Sequence, residues 1–575
     1  MSAVIRLLAL LAVLPLFACT ALAPHEDEPH AAEAAEPESE LPAEMLPAQE
    51  LTEPVLYEML LGEIALQRGD AALAAQTFAE LAQRTRDPRV ARRAVEIANI
   101  ARTPQYALQA ARVWHEADPQ SVQALQTLIA MLVRARQVEE AEPYLAKLLA
   151  RDGDAAANGF LQLGRLLAGN PDKQANLRMV RTLAARYPEL PQARLAVAQA
   201  ALAANDETTA LAETRRAAAM RPGWEPAAIY EAQVLQRRSS AEAAQSLKGF
   251  LEQHPQSRDA RLAYARLLVA DRRYAEARVE FEKLLAAHPA DADVLYAVSL
   301  LAMQLKDYAT AESSLRKLLD AGYRDPDSLR YMLGQAAEEQ KKWDEAVRWY
   351  ESIQQGDQVL AARLRVANVL GKQGKLDEAR AYLRQVDVDG AERVQVLITE
   401  AQLLRDANRH REAYELLGKA LEAQPEQPEL LYDHALTAEK LERFDVLESG
   451  LRKLIRIKPD YAHAYNALGY SLADRNQRLP EARKLIERAL ELSPEDYYII
   501  DSMGWVLYRM GDLKGAVQYL RRAYDGRPDA EISAHLGEVL WAMGERVEAE
   551  RIWQEALKSH PENELLQNTM KRLRR

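Results

Sequence analysis

The sequence predicts an all-α solenoid of about fifteen stacked helix hairpins, and three observations predict it. Small residues recur at a fixed interval: Ala210, Ala243, Ala277, Ala311, Ala346, Ala379, Ala413, Ala482, Ala516 and Ala549 lie 33–35 residues apart. The one exception is a double step of 69, in which Val446 takes the skipped place. Prolines keep the same interval at Pro188, Pro222, Pro255, Pro289, Pro425, Pro459, Pro494, Pro528 and Pro561, with one gap of 136 residues that equals four periods. From Val55 onward the apolar residues follow helical spacing. A chain of 575 residues would otherwise suggest three or four separate domains. A repeat of this length replaces that expectation with one array of hairpins, none of which can bury its apolar face alone.

Ahead of the array, residues 1–18 read as an export signal. Arg6 precedes the apolar run Leu7–Phe17, eleven residues long. That is too short to cross a bilayer core, which needs about 20 residues, and it fits the apolar region of a signal peptide. The run ends in Leu16-Phe17-Ala18-Cys19, and Cys19 is the only cysteine in the chain. The segment resembles the bacterial lipobox. That resemblance implies cleavage before Cys19, acylation of its thiol (palmitate among the chains) and anchorage in a membrane. Two or more acyl chains hold stably where one holds marginally. Thr20, in place of the Asp that retains such proteins at the inner membrane, points to the outer membrane with the body facing the periplasm.

Residues 19–54 form the next segment, rich in Ala, Glu and Pro. Residues 20–54 carry ten acidic side chains and no Lys or Arg. Too few large apolar residues are present to offset ordering entropy, so the segment is expected to be a disordered acidic tether. A coil of 35 residues would span roughly 30–35 Å. His25 and His30 within it are expected to be solvated. Most of the formal charge of −12 sits in this segment, and the remainder is nearly neutral. A nearly neutral body excludes a general nucleic-acid binder, which needs a basic footprint.

The array itself divides into irregular units over 55–188, where Pro104, Pro143 and Pro171 are expected to interrupt helices, and regular units over 189–561. One unit carries Met503-Gly504, Leu507, Gly511, Ala516, Leu520, Ala523 and Pro528. Its successor carries Leu536-Gly537, Leu540, Gly544, Ala549, Trp553, Ala556 and Pro561. Leu61-Gly62, Ala74 and Phe78 open the array. These motifs resemble the tetratricopeptide repeat (TPR). Glycine at the eighth position and alanine at the twentieth let two helices approach closely, and the terminal proline ends the second helix because it cannot continue the hydrogen-bond ladder. Residues 562–575 are expected to form a capping helix, with Leu566, Met570 and Leu573 on one face. Lys571, Arg572, Arg574 and Arg575 complement its dipole. Trp343, Trp349 and Trp553 read as core.

The resemblance implies protein binding on an inner groove lined by positions 2, 5, 9 and 12 of each first helix. In the unit beginning at Tyr497 these are Tyr498, Asp501, Trp505 and Tyr508. The preceding unit supplies His463, Asn466 and Tyr470, and the following one Glu538 and Trp541. The repeat pattern does not require aromatics there, and Tyr and Trp are enriched among binding hot spots. The stripe is therefore the candidate recognition surface.

No chemistry is legible beside it. The chain lacks a phosphate-binding loop, a dinucleotide fingerprint and a nucleophile elbow. The ten histidines form no metal-ligand pair, and no cofactor, metal or catalytic residue is expected. In length, tether and repeat span the chain resembles outer-membrane TPR lipoproteins, most nearly the lipoprotein adaptors of periplasmic carboxyl-terminal-processing proteases. That implies a scaffold binding both the protease and its substrates, cell-wall hydrolases, and promoting their cleavage. The alternative is a scaffold of another envelope machine, in cell-wall synthase activation or exopolysaccharide export.

Overall fold

The computed structural model describes residues 51–150 and 154–574. The signal segment, Cys19 and the tether up to Glu50 lie outside the described residues. Among the described residues there are 31 helices and no strand. They form fifteen consecutive pairs, from Glu53–Gln67 with Ala71–Thr85 to Ala530–Ala542 with Arg546–Ser559, followed by the single helix Glu564–Leu573. The chain divides into two compact bodies, one up to Ala321 with eight pairs and one from Gly322 with seven pairs and the last helix.

Local chemistry sets each hairpin. In thirteen of the fifteen pairs the first helix is followed by a residue of left-handed conformation, and the next amide bonds back to a carbonyl five residues earlier, as Thr103 does to Ala98 (2.9 Å) and Gln137 to Leu132 (2.9 Å). This closure satisfies carbonyls left over at the helix end and favours glycine at the left-handed position. Gly69, Gly374, Gly511 and Gly544 meet that preference. Arg102, Arg136, Arg272, Lys306 and Lys341 stand at the equivalent places with φ of 54–61°, at a cost of roughly 1 kcal/mol or more each relative to glycine. The second helix then starts on a cap: Asp70, Asp206, Asp307 and Asp512 each accept from the backbone N–H three residues on, at 2.9–3.3 Å.

Packing follows the small residues. A Cβ at Gly537 would lie 2.0 Å from the Trp553 ring nitrogen, and one at Gly504 2.5 Å from Leu520. The alanines at the twentieth position are fully buried from Ala210 to Ala549. The skipped place is a correction: Val446 is half-buried, and the buried side chain there is Leu447. A Cβ at the nearby Gly450 would lie 3.4 Å from the Ala435 methyl group. The irregular stretch also differs from expectation. Pro104 begins the helix Pro104–Ala117, and Pro171 lies in the turn before Lys173–Ala184. Only Pro143 stands inside a helix, Val138–Leu149. The first three pairs are therefore ordinary hairpins, whereas Ala155–Leu166 packs on Pro191–Ala203 of the next pair.

The buried core is uneven. One large cluster runs through residues 65–234 and another through 431–570, whereas the stretch from Ala337 to Leu430 holds three small clusters. The second helices there, Trp343–Glu351 and Leu376–Arg384, are only nine residues long. Buried ion pairs link neighbours in this stretch. Glu338, 2% exposed, accepts from Arg365 (2.6 Å), Lys372 (2.9 Å) and the Tyr350 hydroxyl (3.0 Å). Glu338→Ala leaves the Tyr350 hydroxyl and a half-buried guanidinium without their acceptor. The expected loss is about 2–3 kcal/mol, read as faster amide exchange across residues 326–384. Glu338→Gln should recover part of it.

Candidate functional site

The first helices of the last three pairs, Ala462–Asp474, Tyr497–Arg509 and Ala530–Ala542, pack side by side in the second body. Their shared face carries the residues of the stripe, and most of these meet one another. Asp501, Trp505 and Glu538 are buried, at 3%, 4% and 4% exposure. Tyr470, Tyr508, Trp541 and Asn466 are half-buried. Tyr498 is 42% exposed, with the Arg527 guanidinium 4.8 Å above its ring, and Tyr497 beside it is 37% exposed. His463 is exposed.

The centre of this face is a residue outside the expected stripe. His535, at the sixth position of its helix, is 3% exposed and donates from Nδ1 to the Asp501 carboxylate at 2.8 Å. Its ring stacks on Trp505, centroids 4.2 Å apart and planes 23° apart. The Tyr470 oxygen lies 3.4 Å from His535 Nε2 and 3.3 Å from Glu531. A side chain thus reaches from one first helix to the second one along, and this part of the face closes on itself. Burial alone would depress the His535 imidazole, but the charges of Asp501, Glu531 and Glu538 outweigh it and hold its pKa above the ordinary value. Burial, with the neighbouring carboxylates of Glu531, Asp474 and Asp501, pushes the Tyr470 hydroxyl far up, so it stays a proton donor. The second Asp501 oxygen is buried without a partner among the described residues.

A second layer surrounds this centre. Trp505 Nε1 donates to Asp474 (3.3 Å), and Tyr508 to Glu538 (3.2 Å). Glu538 also accepts from Arg572 of the last helix (2.5 Å), while Arg574 pairs with Glu550. The basic end of the chain, expected only to complement a dipole, is therefore tied to the last hairpin. Trp541 lies 5.6 Å from the buried Trp553 and under Arg546. Of the other tryptophans expected in the core, Trp343 and Trp349 are half-buried. Trp343 lines a shallow cleft of about 690 Å³ together with Lys341, Lys342, Lys372 and Lys375.

The stripe thus comprises a buried polar core and an exposed rim of Tyr497, Tyr498 and His463. One signal for His535 was present in the sequence: it lies 34 residues, one period, after Asp501. An acid and a base one repeat apart face each other on adjacent helices. Among the described residues no group of three or more metal-ligating side chains gathers, and no helix is long and apolar enough to cross a membrane.

Tetratricopeptide-repeat family models match residues 235–301, 296–359, 359–386, 432–497 and 502–564. The TPR repeat-containing protein PA4667 of Pseudomonas aeruginosa is 42% identical over 487 residues, covering 83% of this chain and 81% of that protein. Among solved structures, the TPR protein TTC0263 of Thermus thermophilus is 24% identical over 31% of this chain and 97% of its own, with a TM-score of 0.29. A tetratricopeptide repeat protein of Parabacteroides merdae is 17% identical over 49% of this chain and 99% of its own, with a TM-score of 0.32. The fifteen helix pairs, the repeat matches and the extent of the Pseudomonas relative together establish that the chain belongs to the tetratricopeptide-repeat family, whose stacked hairpins serve protein–protein interaction.

Proposed function

We propose that the chain is a lipid-anchored periplasmic scaffold that binds a carboxyl-terminal-processing protease together with its substrates, cell-wall hydrolases, and promotes their cleavage. The observation that carries the binding role is the exposed pair Tyr497 and Tyr498, with the Arg527 guanidinium above the Tyr498 ring. Aromatic rings with a neighbouring guanidinium are the side chains most often found at interface hot spots. The anchoring role is supported by Leu16-Phe17-Ala18-Cys19 after an apolar run, and the adaptor role by the match of tether and repeat span to lipoproteins of that class. Holding enzyme and substrate on one scaffold raises their effective concentration, worth about 10²–10⁴ in apparent affinity.

The test is a mixing experiment. The Cys19→Ser chain, lacking its lipid, is added to a carboxyl-terminal-processing protease and a candidate hydrolase from the same envelope. Cleavage should accelerate, and the joint replacement of Tyr497 and Tyr498 by alanine should weaken capture of a partner about tenfold or more with helicity unchanged. Absence of acceleration and of protease capture would overturn the adaptor reading.

A further inference from the structure

The first body carries unpaired cations on the side where first helices turn into second ones, in two doublets separated by three hairpins. Arg102, Arg136, Arg272 and Lys306 occupy the same left-handed turn position in four of its eight hairpins. All four are exposed, and none makes a side-chain hydrogen bond or ion pair among the described residues. Most acids on the same side are engaged otherwise, Glu139 three residues after Arg136 excepted. Asp70, Asp172, Asp206 and Asp307 cap the following helices, and Asp307 also accepts from Arg278. Neighbouring turns touch along this side, as Arg134 donates to Asn99 and Arg237 to Asn205. Apolar side chains protrude beside the cations, Ile100 at 62% and Leu305 at 36% exposure. Backbone geometry favours glycine at these positions, so folding alone does not account for arginine and lysine there.

We infer that this turn side of the first body is a docking surface for anionic phospholipid. The cations lie on exposed turn tips, where a flat lipid surface can reach them. Unpaired guanidinium groups match lipid phosphates, and the protruding Ile100 and Leu305 can enter the interfacial layer. The inference rests on the proposed lipid anchor, which would keep the body within reach of a leaflet. Docking would lay the first body along the membrane instead of leaving it free on its tether.

The positions permit an unusually clean test, because glycine removes the charge and suits the backbone. The Cys19→Ser chain, unable to bind through acyl groups, is sedimented with vesicles of phosphatidylethanolamine and phosphatidylglycerol, and with vesicles of phosphatidylcholine alone. Preferential binding to the anionic vesicles, weakened by salt, is expected. Each cation should contribute about fivefold, so the Arg102→Gly, Arg136→Gly, Arg272→Gly, Lys306→Gly variant should bind several hundredfold more weakly, with its melting temperature unchanged or raised. Equal binding by the variant, or no preference for anionic lipid, would overturn the inference. So would capture of a peptide of sequence 26–53 in place of vesicles, which would assign the cations to the chain's own acidic segment. Palmitate labelling of the native chain, lost in Cys19→Ser, reads the anchor separately, so failure of one is distinguishable from failure of the other.

Discussion

Replacing Asp501 with alanine is expected to destabilise the last three hairpins by about 3–5 kcal/mol, the cost of removing one partner from a buried charge pair. His535 would lose its only carboxylate hydrogen bond while remaining enclosed by Trp505 and Tyr470. The effect depends on pH with a definite sign. The folded imidazole has a pKa above its unfolded value near 6.5. Its stabilisation is therefore complete below about pH 6.5 and is lost as pH rises through the folded value. The difference between wild type and Asp501→Ala should be largest in mild acid and narrow toward alkaline pH. Glu531 and Glu538, the latter held by Arg572, also face the ring and should leave a residual slope in the variant. Because a stack of repeats need not unfold all at once, the measurement is amide exchange across residues 462–573. A uniform loss at every pH would sink the charged-pair account.

The second large effect concerns Gly537 and Trp553. Gly537→Ala places a methyl group 2.0 Å from the Trp553 ring nitrogen and 2.4 Å from an adjacent carbon. The ring is fully buried in one cluster with Ile552 and Leu566. Overpacking of this kind costs about 1–3 kcal/mol, and Trp553→Ala alone about 3–5 kcal/mol. The two changes should not add. With the ring gone the methyl group has space, so the double variant should be no less stable than Trp553→Ala. Strict additivity in thermal or denaturant unfolding would show that the contact is not limiting.

The hairpin count was legible because close helix packing leaves a small residue at a fixed interval. Where the reading weakened, the physics did not. Ala74, Ala107 and Ala141 continue the alanine series and are as buried as Ala210. Tyr106 stands before Ala107 where most regular units have Glu, and Pro104 begins a helix there, whereas Glu140 precedes Ala141 as in the regular units. The next place in the series holds Asn176, whose amide donates to the Leu167 carbonyl (3.0 Å) and accepts from Asn170 (2.7 Å). A buried polar group in an alanine's place is tolerated once its hydrogen bonds are met. The candidate site was legible in part. The stripe identified which side chains share a face, but helical position alone does not show that Tyr470 reaches past one helix to His535, and so which residues the face would bury. Rings large enough to bridge two repeats turned the centre of the expected groove into an interior.

The thin middle of the chain carries a mechanical consequence. From Ala337 to Leu430 the core is parcelled into small islands, two of its second helices being only nine residues long, while the cluster that follows is continuous from Leu431 to Met570. Load applied to the two ends of such a chain is shared along its length, but rupture starts where the fewest apolar contacts must be parted together. The short hairpins would yield first and lengthen the molecule, leaving the flanking blocks folded and able to re-form the link when the pull relaxes.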